Sequence, residues 1–268
     1  MSSVERKIEN ALKIDVKKAR EKIVEFIKRK FESSKADGLV IGLSGGLDSS
    51  VCAFLSVEAV GNQKVLGVFI PEKGITQSAD WKDVQKVADI LKIEVREVEI
   101  SEILKAFKMA IIGFDEKNVL AEANLKPRIR MTILYYYANL LNCLVVGASN
   151  KTELKIGYFT KFGDGASDIT PIGCLYKTQV REMGRHLGVP ESILKKTPTA
   201  GLWKGQTDEE EIGLPYDKLD RILVGEELGF SAEEISSAVG VDLDTVNRIL
   251  DRIRRNRHKI LPLQVPRL

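Results

Sequence analysis

The chain has 268 residues, 44% of them hydrophobic and 29% charged, with a net charge of +3; it is long enough for an ample core, and its charge is too small by itself to argue for a nucleic-acid partner. No apolar run approaches the ~18 residues of a membrane span, and no signal-like segment opens the chain. The three cysteines, Cys52, Cys143 and Cys174, lack C-x-x-C spacing and read as reduced packing residues of a cytoplasmic protein. With only His186 and His258 available, a His-centred triad or His-rich metal site is disfavoured.

An amphipathic helix is predicted over 15–33, with Ala19, Ile23, Phe26 and Ile27 on one face. Leu39 to Leu43 then reads as a buried parallel strand, followed by Ser44-Gly45-Gly46-Leu47-Asp48-Ser49 and an apolar helical pattern to about Val60. Strand, glycine turn and helix start in that order build an anion cradle, because glycines admit a phosphate close to the backbone and the helix start aims free N–H groups at it. Ser44 and Ser49 add hydroxyls, and Asp48 is the natural ligand for Mg²⁺, a hard ion. The loop lacks the Gly-Lys-Ser/Thr of a Walker A motif and the G-x-G-x-x-G of a dinucleotide fingerprint. Ser-Gly-Gly-x-Asp-Ser instead resembles the pyrophosphatase loop of enzymes that split ATP into AMP and pyrophosphate.

Val65 to Ile70 is a second strand, Gln77 to Leu91 a helix, Ile93 to Val98 a third strand and Ser101 to Ile112 a short helix. This β-α-β-α-β order predicts an α/β, doubly wound, mainly parallel, Rossmann-like sheet with ligands at the carboxyl ends of its strands. A long helix runs from Asn124 to about Asn142, with Pro127 at its first position. Lys126, Arg128 and Arg130 crowd the positive end of its dipole, which a phosphate would compensate; solvated arginines are the alternative. Cys143 to Gly147 is another strand, and the turn Ala148 to Glu153 at its carboxyl end should lie beside Asp48. Glu153 is there either a second Mg²⁺ ligand or a surface residue.

Residues 156–176 are polar, glycine-rich and without core periodicity, and with Tyr158, Phe159 and Phe162 read as a binding loop. A helix follows from about Tyr176, and Lys177 in its first turn again calls for an anion. Residues 195–207 form a second long loop, closed by Thr207-Asp208-Glu209-Glu210, a capping box with acids at the helix start that reads as a cap in preference to a metal site. Helix 215–228 comes next, then a helix capped by Ser231 and ended by Gly240, then one starting at Asp242. The last pair has a helix-turn-helix outline. With Arg252, Arg254, Arg255, Arg257, His258 and Lys259 it supports a rival reading as a nucleic-acid-binding protein.

Five stretches together resemble ammonia-dependent NAD⁺ synthetases from about residue 17 onward. They are Ser44–Ser50, Lys126-Pro-Arg128-Ile-Arg130, Thr160-Lys161-Phe-Gly-Asp-Gly165, Leu175-Tyr-Lys177, and Pro198-Thr199-Ala-Gly-Leu-Trp-Lys-Gly-Gln-Thr-Asp-Glu209 with Gly213 and Tyr216. The first is shared with other ATP-pyrophosphatase enzymes; the third and fifth are far more specific. The resemblance implies a single domain over 1–268 with a C-terminal helical extension at about 208–260. It implies a ligase that adenylates the nicotinate carboxylate of deamido-NAD⁺ with ATP, releases pyrophosphate, and amidates with ammonia to give NAD⁺ and AMP. It further implies that Gly42, Leu43, Ser44, Gly45, Gly46, Leu47, Asp48 and Ser49, with Ala148, Lys177 and Thr199, bind ATP. Asp48, Ser44 and Lys177 would carry catalysis, and Asp48 and Glu153 would hold Mg²⁺. Arg128, Lys161, Asp168, His258 and Lys259 would bind deamido-NAD⁺, which gives the basic tail a dinucleotide in place of nucleic acid. Pro127 and Ala200-Gly201 depart from commoner family neighbours, which bears on loop geometry and substrate fit. A homodimer and no membrane partner are expected, and no length remains for a glutaminase domain, so free ammonia is the expected nitrogen donor.

Overall fold

The computed structural model describes residues 1–261 and 265–266. Its elements are α1 (Ser3–Leu12), α2 (Val16–Ser34), β1 (Gly38–Gly42), α3 (Leu47–Val60), β2 (Val65–Phe69), α4 (Ser78–Leu91), β3 (Glu94–Glu97), α5 (Ser101–Ala110), α6 (Val119–Ala123), α7 (Leu125–Leu141) and β4 (Cys143–Val146). There follow α8 (Lys151–Ile156), α9 (Lys177–Leu187), α10 (Glu191–Leu194), α11 (Asp208–Ile212), α12 (Tyr216–Glu227), α13 (Ala232–Val239) and α14 (Leu243–Asn256).

The four strands form one parallel sheet in the order β3-β2-β1-β4. The chain moves outward from β1 to β3 and then returns to the other side of β1 for β4. The β1/β4 seam is therefore a topological switch point, where the loops leaving adjacent strands diverge and open a crevice. Alternation along β2 explains the layering: Val65 and Phe69 face the core with α2, α3, α4 and α9, whereas Leu66, Val68 and Ile70 face the core with α5 and α7. A third core joins Ile8 of α1 to Tyr216, Leu219, Ile222, Ile235, Val246 and Ile249 of the C-terminal helices.

The doubly wound parallel sheet is as expected, with element ends shifted by one or two residues. The short helices α6, α8 and α10 are additional to the expected elements, and three further features differ. Helix α1 lies ahead of the first expected helix, closed by a Ser2/Glu5 capping box that the sequence carries as Ser-x-x-Glu. Helix α7 starts at Leu125, so Pro127 is its third residue and not its first; the position is tolerated because the first turn's N–H groups have no intrahelical acceptor to lose. The 156–176 segment is irregular as expected, yet it is not free of core residues. Ile169, Ile172 and Leu175 are buried, and Ile169 bridges Val146 in parallel at the edge of β4. Their spacing of three, broken by Pro171 and Gly173, matches neither helix nor strand and conceals the contribution.

Candidate active site

The 44–49 loop leaves β1 and enters α3 at the switch point. Its turn needs glycine at 45, where φ is +73° and a Cβ would lie 2.6 Å from the Asp80 carbonyl oxygen. Ser44 and Ser49 bond each other through their hydroxyls at 3.1 Å, and Ser49 Oγ receives the Ser44 N–H at 3.3 Å. The N-cap of α3 is Gly46, with no side-chain cap, so the first N–H groups of α3 (Leu47, Asp48 and Ser49) have no acceptor on their own helix. Those donors and the dipole point out of the loop, the arrangement that suits an anion. Lys196 buttresses the rear of the loop, donating to the Gly45 carbonyl at 2.9 Å while pairing with Asp80 at 2.7 Å and Asp83 at 3.1 Å.

The turn after β4 closes on this loop. Asn150 caps α8 in a reciprocal box with Glu153, and its amide donates to Asp48 Oδ1 at 2.9 Å. On the other side of Asp48, Lys177 Nζ donates to Oδ2 at 2.5 Å and lies 3.6 Å from Glu153 Oε1. Glu153 is therefore not a surface residue. The anions that Lys177 requires are Asp48 and Glu153, and the lysine is only 4% exposed. Its ammonium also lies 5.2 Å from the ring centroid of Tyr216, whose hydroxyl donates to Asp208 at 3.0 Å. The Tyr158 hydroxyl reaches the same carboxylate at 3.1 Å. Burial alone would lower the Lys177 ammonium, but the charges of Asp48 and Glu153 override it and hold the group well above its ordinary value. Burial, followed by the charge of Asp48, pushes Glu153 well above the usual carboxylate range, and Asp208 rises for the same first reason.

A second group lies on the outer side of α7. Arg128 donates to the Lys161 carbonyl at 3.3 Å, and Lys161 Nζ donates to the His258 carbonyl at 3.1 Å. Lys259 Nζ bonds the carbonyls of Gly157 and Phe159 at 2.7 and 2.9 Å. Asp168 accepts from Val145 N–H at 2.7 Å and from Tyr135 at 3.3 Å. Arg128, Tyr135 and Phe162 line an open cleft of about 490 Å³, and Phe162 is an exposed aromatic at φ +64°. Ser149 Oγ donates to the Asp164 carbonyl at 3.4 Å, which ties the turn after β4 to the 156–176 segment.

The sequence residues thus divide. Asp48, Ser44, Ser49, Glu153 and Lys177 converge, with Ala148 in the turn between β4 and α8. Arg128, Lys161, His258, Lys259 and Asp168 form the second cluster. Thr199 joins neither: it is exposed, and its hydroxyl accepts only from Gly201 N–H. The phosphate expected beside Lys126, Arg128 and Arg130 is needed by fewer residues than expected. Lys126 is buried against Glu72 at 2.8 Å and Arg130 donates to the Ile70 carbonyl at 3.0 Å, which leaves Arg128 alone exposed. The basic tail does not present one continuous face either, since Arg252 and Lys259 turn inward onto the carbonyls of 156–159. Asn150, Tyr216 and Lys196 have no role in the sequence reading, although Asn150 stands at an N-cap position, and Asp208 is read there only as part of the cap at 207–210.

Fold and site together define a doubly wound α/β protein with an anion loop and a carboxylate–lysine cluster at its switch point. The chain belongs to the NAD synthase family, whose model matches residues 19–262. It is 45% identical over 255 residues to the NH₃-dependent NAD⁺ synthetase of Methanosarcina acetivorans, covering 95% of this chain and 100% of that one. With the synthetase of the same description from Methanocaldococcus jannaschii it shares 48% over 239 residues, covering 89% and 92%. Among solved structures, it superposes on the NMN synthetase of Francisella tularensis with TM-score 0.84 at 35% identity, covering 96% and 100%. It superposes on the NH₃-dependent NAD synthetase of Campylobacter jejuni with TM-score 0.79 at 30% identity, covering 95% and 100%.

Proposed function

We propose that this chain is an ammonia-dependent NAD⁺ synthetase that performs the final amidation of deamido-NAD⁺ at the expense of ATP. The observation that carries the reading is Lys177 clamped between Asp48 and Glu153 at the mouth of the 44–49 loop, in a family whose relatives bear that activity. The reaction is phosphate handling and acyl transfer, which needs positioning and charge compensation more than a strong acid or base. The nicotinate carboxylate attacks the α-phosphorus of ATP and pyrophosphate leaves. Ammonia then attacks the acyl carbon, loses a proton, and AMP departs with the carboxylate oxygen. Free N–H groups at Leu47, Asp48 and Ser49, with the Ser44 and Ser49 hydroxyls, suit the polyphosphate. Lys177 meets the charge that builds on the departing pyrophosphate.

Mg²⁺ fits the donors present. Asp48 and Glu153 are hard oxygen ligands that face one cation, Lys177, from the ends of adjacent strands. Among the described residues no three His, Cys, Asp or Glu side chains are arranged as a ready metal cage. Mg²⁺ is commonly held by one or two carboxylates and completed by phosphate oxygens and water. Bound there, Mg²⁺ would draw charge from the phosphates. Arg128, Lys161, His258, Lys259 and Asp168, around the Phe162 cleft, are the proposed deamido-NAD⁺ site, and Ala148 and Thr199 the remaining ATP contacts.

We read residues 1–268 as one catalytic unit, because the helices from 208 onward bring Asp208 and Tyr216 against Lys177. A homodimer is supported by exposed apolar side chains along α5, α6 and their connection: Met109 at 80%, Leu120 at 63% and Ile112, fully exposed. A cytoplasmic setting is supported by three free cysteines, and no helix among the described residues is long and apolar enough to cross a membrane. The test is an assay with ATP, Mg²⁺, ammonium or glutamine, and either deamido-NAD⁺ or nicotinate mononucleotide, the latter because the Francisella relative is an NMN synthetase. Equal yields of AMP and NAD⁺ with ammonium and the dinucleotide are expected. Amidation of the mononucleotide alone would move the chain to that second activity, and no AMP with any pair would overturn the ligase reading.

A further inference from the structure

Asp220 lies on α12, within the third core, and is fully buried at 0% exposure. A buried carboxylate is costly unless its oxygens are satisfied, and this one has three donors. Thr152 Oγ1 donates to Oδ1 at 2.5 Å, while Thr178 N–H and Thr178 Oγ1 donate to Oδ2 at 2.8 and 2.7 Å. Thr152 Oγ1 in turn accepts the backbone N–H of Lys177 at 2.9 Å.

The chain positions give these bonds their meaning. Thr152 immediately precedes Glu153, and Thr178 immediately follows Lys177. One carboxylate from the C-terminal helices therefore fastens the starts of α8 and α9 together at the two residues that flank the charged pair. The Lys177 ammonium itself bonds Asp48 and faces Glu153, while the hydrogen bonds of Asp220 and Thr152 reach the backbone on either side of the lysine. Nothing about Asp220 suggests this from sequence, where it reads as one more polar position of a surface helix.

We propose that Asp220, through Thr152 and Thr178, is a positioning residue for adenylation, holding Lys177 and Glu153 at the separation the reaction needs. The proposal rests on the function proposed above. It gives the C-terminal helices a part in the chemistry beyond covering apolar surface. Displacing a catalytic group by about 1 Å from a distance can cost about 100-fold in rate. Loss of this anchor should accordingly appear in turnover more than in substrate binding.

The experiment measures AMP and pyrophosphate release at 25 °C by the full-length wild type and by Asp220→Asn, Thr152→Val and Thr152→Ser, with thermal melts of each. Thr152→Val keeps the shape but neither donates to Asp220 nor accepts from Lys177; Thr152→Ser keeps both bonds. The expected result is a fall in kcat of about 10- to 100-fold for Asp220→Asn and Thr152→Val, with KM for ATP and deamido-NAD⁺ within about threefold. Thr152→Ser should recover most of the wild-type kcat. Wild-type kcat in Thr152→Val, or an equal loss in the serine and valine variants, would overturn the proposal. If Asp220→Asn does not fold, the threonine pair decides alone. An inactive wild type would instead overturn the function on which the proposal rests.

Discussion

The ammonium of Lys177 lies 2.5 Å from Asp48 Oδ2 and 3.6 Å from Glu153 Oε1, so a single cation on α9 answers two carboxylates carried by the segments after β1 and β4. Replacing it by methionine keeps the length of the side chain and removes the charge. Two poorly solvated carboxylates then face each other without compensation, a loss of the kind that costs about 3–5 kcal/mol when one partner of a buried pair is removed. Lys177→Met should lower the unfolding midpoint and reduce AMP release by about 10²- to 10³-fold. A melt and a steady-state assay on the same preparation check both.

That cluster also marks how far the sequence could be read. The 44–49 loop was legible because its signal is local: a buried strand, a glycine turn and a helix start within a dozen residues. Lys177 was legible as a demand, since a cation in a helix's first turn needs an anion, but its partner Asp48 is 129 residues away and only the sheet order brings them together. Asp208 was hidden by its own neighbourhood. Thr207 does cap α11, but the expected reciprocal box does not form, because the Glu210 carboxylate accepts from the Thr207 hydroxyl and not from its N–H; Asp208 turns inward to two tyrosines. Lys126 and Arg130 show the converse limit, because residues that ask for a phosphate in one dimension find Glu72 and the Ile70 carbonyl in three.

Gly45 carries the sharpest backbone constraint in the loop. An alanine there would hold φ near +73° and drive its Cβ to 2.6 Å from the Asp80 carbonyl oxygen. Strain of about 1–2 kcal/mol from the dihedral, with the clash added, forces the loop to shift. Gly45→Ala should raise KM for ATP by about tenfold or more and lower the melting midpoint, measured by initial rates over an ATP series and by calorimetry.

Phe162 holds φ +64° with its ring 65% exposed, an arrangement with little to recommend it for stability alone. Glycine would relieve about 1 kcal/mol of strain, roughly offsetting the backbone entropy it adds. Phe162→Gly should therefore melt close to wild type while KM for deamido-NAD⁺ rises about tenfold, as expected when an aromatic platform is removed from a nucleotide site. A lowered midpoint with unchanged KM would make the ring structural.

Glu227 ties α12 to α8, pairing with Lys151 at 2.8 Å and Lys155 at 3.0 Å. Burial works to raise its carboxyl, but hydrogen bonds from Lys151 and Lys155 hold it down at about 2, against an ordinary 4.5. A depressed carboxyl contributes stability that is complete above its unfolded value and lost as pH falls through the folded one. Urea unfolding between pH 5 and pH 2 should show declining stability, and Glu227→Gln should flatten that slope. High salt should weaken the effect, because the pair is partly exposed.

The most direct test of the account follows an oxygen atom. Deamido-NAD⁺ labelled with ¹⁸O in the nicotinate carboxylate is turned over with ATP, Mg²⁺ and ammonium, and the products are weighed by mass spectrometry. Attack of the carboxylate on the α-phosphorus predicts one carboxylate oxygen in each AMP and none in pyrophosphate, with the Lys177→Met protein forming the same labelled AMP far more slowly. Label in phosphate or pyrophosphate, or NAD⁺ formed with unlabelled AMP, would contradict adenylation at the Asp48–Lys177 site.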